Sequence, residues 1–96
     1  MSDAIAAAAA ALNERLGGGG IDGSIKLVIE DEGSVLIDAA GARAADGEAD
    51  CTLTASADTF KALLDGELDP TGAFMGGRLA VQGDMGLAMK LASLLG

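Results

Sequence analysis

The stretch FMGGRLAVQGDMGLAMKLASLLG, residues 74–96, decides how the chain is read. Within it, RLAVQ is a short strand pattern that places Leu79 and Val81 on one side, and Asp84 is a carboxylate positioned to cap the helix that follows. On a wheel of about 100° per residue, Gly86, Lys90 and Ser93 fall together. Met85, Leu87, Ala88, Met89, Leu91, Ala92, Leu94 and Leu95 fill an arc of about 220°, roughly twice the stripe a helix needs to lie on one sheet. One flank can cover the sheet. The other requires a separate apolar partner: another helix, a second subunit or a bound ligand.

Upstream of this stretch the elements follow in order. Asp69-Pro70 is a strong helix start, an N-cap carboxylate with proline at the first helical position, and the helix it opens is short and ends at Gly76-Gly77. Ser56 or Asp58 caps a helix carrying Phe60, Leu63 and Leu64 on one face, with Gly66 as its stop. DCTLTAS reads as a strand with Cys51, Leu53 and Ala55 on one face and Thr52 and Thr54 on the other. That pattern makes Cys51 a buried structural thiol and not a nucleophile. GARAADGE is weak, at best a short strand and a turn. SIKLVIEDEGSVLID is a hairpin in which Ile25, Leu27 and Ile29, then Val35 and Ile37, face one way, with Glu30, Asp31 and Glu32 solvated at its tip. Residues 3–16 form a first helix with Ile5, Ala9, Leu12 and Leu16 inward and Asn13 and Glu14 outward. Gly17 to Gly20 follow a helix and precede a strand, the reverse of a phosphate-binding loop, so they read as a linker.

Composition narrows the function classes. A chain of 96 residues is expected to form a single domain over residues 1–96 with a modest core. Half of its residues are apolar but only two are Phe and none Trp or Tyr, so the interior is built from pliable aliphatic side chains. A net charge of -9 with six scattered basic residues argues against nucleic acid and anionic membrane surfaces. No apolar run reaches the roughly 20 residues that span a bilayer, and the alanine run lacks a basic flank, which points to a soluble, cytoplasmic protein that is not integral to a membrane. A lone Cys excludes an internal disulfide and fits a reducing compartment. With no His, ordinary zinc sites and His-based triads are absent. No catalytic constellation, metal site or cofactor is expected.

The second half of the chain also resembles a known family. The strand DCTLT, the helix DTFKALLDGELDP, the AF-x-x-G-x-L turn into a strand and GDMGLAMKL fall in order, without a gap, between Ala49 and Leu95. In this segment the chain resembles the sterol carrier protein 2 domain. That resemblance implies an α/β (α+β) domain: a five-stranded, mostly antiparallel sheet covered by helices, enclosing an apolar tunnel that holds fatty acids, fatty acyl-CoA, sterols or other lipids non-covalently. By the matching motif it implies Phe60, Leu64, Phe74, Met75, Leu79, Met85, Met89 and Leu91 as the tunnel wall. The first half matches only in pattern, and its first helix is short and nearly all alanine. The chain has no Ser-Lys-Leu-like end, so peroxisomal delivery is not expected.

The leading expectation is therefore a non-enzymatic lipid carrier. Only Lys26, Lys61, Lys90 and Arg78 are available to a CoA head group in the matched elements, which ranks uncharged lipids and fatty acids above acyl-CoA. The other reading is an accessory protein whose apolar face docks on a second subunit or a partner enzyme of lipid or isoprenoid metabolism. A dry void of about 300 Å³ would cost roughly 7 kcal/mol, close to the whole stability of a small domain, so open apolar space must collapse, fill with water or hold a ligand.

Overall fold

The computed structural model describes residues 3–95. Its elements in chain order are α1 (Asp3–Leu16), β1 (Ile25–Ile29), β2 (Gly33–Asp38), β3 (Gly41–Ala44), β4 (Cys51–Ala55), α2 (Ala57–Leu64), α3 (Pro70–Met75), β5 (Ala80–Gly83) and α4 (Met85–Leu95). The strands form one sheet in the order β3-β2-β1-β4-β5. Three of its four pairings are antiparallel and the remaining one, β1 with β4, is parallel. The sheet is thus mixed but mostly antiparallel, as the family resemblance implies.

Register explains why one face of this sheet is the core. Ile25 pairs with Ile37 on one side and Cys51 on the other, and Leu27 sits between Val35 and Leu53. Leu53 in turn pairs with Val81. Because successive side chains alternate between faces, these rows stack on one side, where Ile25, Leu27, Ile29, Val35, Ile37, Cys51, Leu53 and Ala55 are all buried. Lys26, Val28, Thr52 and Thr54 look the other way and are half-buried. The helices supply the second layer. α1 lies over β3 and β2, and α4 lies over β4 and β5, with α2 and α3 packed against them.

Local chemistry sets the helix starts. The Ser56 hydroxyl accepts from the Thr59 N–H at 3.2 Å, so of the two sequence candidates the serine is the cap and Asp58 belongs to the first turn. Asp69 accepts from the Gly72 N–H at 3.0 Å, with Pro70 directly after it. Asp84 accepts from the N–H groups of Gly86 at 2.8 Å and Leu87 at 3.3 Å and opens α4. At the end of α3, Gly77 takes φ +78, which lets the Arg78 N–H reach back to the Ala73 carbonyl at 2.9 Å and turns the chain into β5.

Four details sharpen or correct the sequence reading. GARA is a true edge strand, and β5 begins two residues later than RLAVQ suggests. Asn13 does not simply face outward. Its carboxamide donates to the Ala42 carbonyl and accepts from the Ala42 N–H, both at 2.8 Å, so it occupies the open edge of β3 and latches α1 to the sheet. The glycine linker includes one close approach, because a Cβ on Gly20 would overlap the carbonyl oxygens of Asp38 and Ala39.

The latch yields a stability prediction. Asn13→Ala removes both bonds to Ala42 at a half-wet site and should lower unfolding free energy by about 1 kcal/mol in urea titration. An unchanged midpoint would show that water replaces the carboxamide without cost.

Candidate functional site

The two flanks of α4 end in different surroundings. Leu87 and Leu91 are 7% and 1% exposed and enter the core. Met85 and Met89 are 49% and 70% exposed. Between that second flank, the sheet and the two short helices lies an apolar cleft of about 200 Å³. Leu53 of β4 and Val81 of β5 form its floor, side by side through their strand pairing. Phe60 and Leu63 of α2 form one wall, and Pro70, Thr71 and Phe74 of α3 form another. Leu79 leads into β5 below, and Met85, Ala88, Met89, Leu91 and Ala92 of α4 close the remaining side. The cleft opens to solvent past Phe74, Met85 and Met89, which together with Thr71 are the exposed members of its lining.

Of the side chains expected from the sequence, Phe60, Phe74, Leu79, Met85, Met89 and Leu91 meet in this cleft. Leu64 does not. It lies one position round α2 and lines a second cleft of about 330 Å³ between α1 and α2, together with Ala4, Ala7, Ala8 and Ala11. Met75 reaches neither, being 80% exposed at the end of α3. Leu64 follows the cleft residue Leu63 on α2 and Met75 follows Phe74 on α3, and a helix turns adjacent residues to different sides. The sequence reading missed Leu53, Leu63, Pro70, Thr71, Val81, Ala88 and Ala92 as cleft residues. Ala88 and Ala92 were already on the surplus arc of α4, but the strand register that brings Leu53 beside Val81 leaves no local signal.

Chemically the cleft is bare. Among the described residues Thr71 is the one lining side chain with a polar group, and none of the charged ones lines it. It can desolvate an apolar group and position it, and no carboxylate, ammonium, imidazole or thiol of the described residues lines it. Among the described residues no group of His, Cys, Asp and Glu is placed to hold a metal ion. No helix of the described residues is long and apolar enough to cross a membrane.

A model of the family described as the SCP-2 sterol transfer family matches residues 4–96. The chain belongs to the SCP-2 sterol transfer family. It is 46% identical over 63 residues to sterol carrier protein 2 of Rattus norvegicus, an alignment that takes in 66% of this chain and 10% of that protein. The chain thus spans about a tenth of the length of that relative. In three dimensions it is similar to the Aedes aegypti sterol carrier protein-2 solved as a complex with palmitate. The TM-score is 0.78 at 22% identity, covering 99% of this chain and 96% of the other. The Aedes aegypti sterol carrier protein 2 like 2 crystal structure is similar at a TM-score of 0.76 and 20% identity, covering 94% of each chain. At these identities the two structures establish the fold.

In this SCP-2 family chain the lone thiol sits in the core, as its strand pattern implied. Cys51 is 1% exposed, and burial pushes its pKa up, with the Asp84 carboxylate adding to the rise against a backbone hydrogen bond from Ala88. Raised pKa and burial both lower the thiolate fraction that reacts. Cys51 should therefore stay unmodified by an aromatic disulfide reagent in the folded protein at pH 8 and react fully once unfolded; rapid labelling of the native state would contradict its placement.

Proposed function

We propose that the chain is a non-enzymatic lipid-binding or carrier protein that holds an apolar tail in the cleft under α4. The observation that carries this reading is the cleft itself: a solvent-open apolar space in which the only polar lining group is one threonine hydroxyl. Each methylene transferred from water into such a space gains about 0.8 kcal/mol, so a tail binds usefully without any polar contact. A protein of the same fold is solved with palmitate, and the rat relative bears the name of a sterol carrier, which is the same ligand class. The reduced, buried Cys51 suits a cytoplasmic setting.

Charge placement favours uncharged lipids and fatty acids over acyl-CoA. Lys26 is engaged with Asp46 at 3.2 Å, and none of Lys61, Lys90 and Arg78 lines the cleft. A polyphosphate head would find no cradle there. A fatty-acid carboxylate or a hydroxyl can remain in water at the mouth while the tail is buried.

The exposed side chains also support a second reading, in which Met75, 80% exposed and outside the cleft, belongs to a surface for a second subunit or a partner enzyme. Native mass measurement separates the two. A monomer carrying lipid supports the carrier; a stable oligomer that excludes lipid supports the docking surface.

Met89→Asp tests the site directly. Because Met89 is largely exposed, the substitution should change unfolding free energy by no more than about 0.5 kcal/mol. It should weaken binding of a long-chain fatty acid at least about tenfold, since a charge then faces the tail. Equal loss of folding and binding would place Met89 in ordinary core instead.

pH offers an independent check. No titratable group lines the cleft, the Cys51 thiol is pushed up, and Asp38 and Asp46 are held below the usual carboxylate range by Arg43 and by the Gly47 N–H respectively. Whatever stability those two carboxylates add is present above their unfolded pKa and is lost only as pH falls through the lowered folded value. Affinity for a long-chain alcohol should therefore be flat from about pH 5 to about pH 8. A titration step within that window would reveal a charged group at the site.

A further inference from the structure

We infer that the cleft between α1 and α2 is a second compartment of the same lipid site, entered by the distal end of the tail past the ring of Phe60. This rests on the carrier reading above and extends it to the length of ligand held.

Three observations converge. First, the cleft under α4 is short: an apolar cavity of about 150 Å³ takes one benzene ring, so at about 200 Å³ this one holds roughly eight tail carbons. A long tail must either protrude into water or continue elsewhere. Second, the α1–α2 cleft is larger, about 330 Å³, and its wall is the alanine run of α1. Ala4, Ala7, Ala8 and Ala11 leave room between the helices that longer side chains would fill, which gives the nearly all-alanine helix a use beyond helix propensity. Third, Phe60 is the one residue that lines both clefts, and it is 3% exposed. Its ring is the partition. Turning it aside joins the two spaces and more than doubles the apolar volume open to a ligand.

Rim chemistry sets the direction. Asp58, Lys61 and Asp65 stand at the α1–α2 cleft, two carboxylates to one ammonium, while no acid lines the cleft under α4. An anionic head is therefore disfavoured at the far end. The methyl end goes under α1 and the head stays at the mouth beside Phe74, Met85 and Met89.

A chain-length series by calorimetry, with saturated fatty acids of eight to eighteen carbons kept below their micelle concentrations, tests this. In the wild-type chain the dissociation constant should keep falling, by up to about fourfold per methylene, well beyond eight carbons. Ala11→Phe, which fills the far compartment from a half-buried helix position, should end that gain near eight carbons while the eight-carbon acid still binds. Ala7→Phe, at an exposed position of the same wall, should do the same and guards against misfolding of the first variant. Phe60→Leu should speed uptake of the sixteen- and eighteen-carbon acids in stopped flow by a larger factor than it changes uptake of the eight-carbon acid, and an equal change for all lengths would count against Phe60 as the partition. A wild-type series that levels off near eight carbons, or an undiminished long-chain gain in both alanine variants, overturns the second compartment alone. Failure of every acid to bind overturns the carrier reading with it.

Discussion

Everything at the site depends on how α4 is anchored. Leu87 and Leu91 are driven into the core over β4 and β5, and this fixes the helix so that Met85 and Met89, on its other flank, face space the chain does not fill. The chain has only two aromatic side chains, and both Phe60 and Phe74 already line that space. A closed, dry void of about 200 Å³ would cost roughly 5 kcal/mol, a large fraction of what a small domain has. Leaving the cleft open past Phe74, Met85 and Met89 exchanges that cost for wet apolar surface, and a tail that displaces the water recovers the burial.

The surrounding fold holds this arrangement in place by polar contacts at helix ends. Asp84 caps α4 at the point where β5 ends, so the strand register that sets Val81 beside Leu53 also sets the start of the helix above them. At the other end, the Arg15 guanidinium donates to the carbonyl of Leu64 and, at 3.4 Å, to that of Leu94. These carbonyls belong to the last turns of α2 and α4, where helix dipoles favour a cation. One residue of α1 thus ties together the helices that bound both clefts, and Asn13, two positions earlier, ties α1 to the sheet.

Much of this was legible in the chain itself. The alternation of Ile25, Leu27 and Ile29 and of Cys51, Leu53 and Ala55 is strong because one sheet face is buried, and Asp69-Pro70 and Asp84 are helix starts with a mechanism. The doubled apolar arc of α4 calls for an apolar partner and leaves open whether that is another helix, a second subunit or a ligand. What could not be read are the contacts that depend on a neighbour distant in sequence. Asn13 looks outward on its own helix, and only the position of Ala42, 29 residues on, makes it a latch. Leu64 and Met75 were placed with the cleft because they flank residues that do line it. Their directions depend on how α2 and α3 are rotated against α1 and α4, which short helices do not encode in their own periodicity. Resemblance to the family implies the fold and a lipid ligand, while the presence of Phe60 in the lining of both clefts has no signal in the sequence.

The central claim is that the exposed flank of α4 is a wall for a lipid tail and not a surface patch. Methyl-labelled methionine NMR during titration with a long-chain fatty acid reads it most directly, because Met85 and Met89 line the cleft and Met75 lies outside it. The account predicts saturable shifts of the Met85 and Met89 methyl signals, with nuclear Overhauser contacts to the tail and little change at Met75. Shifts at Met75 as large as at Met89, or none at any of the three, would contradict it.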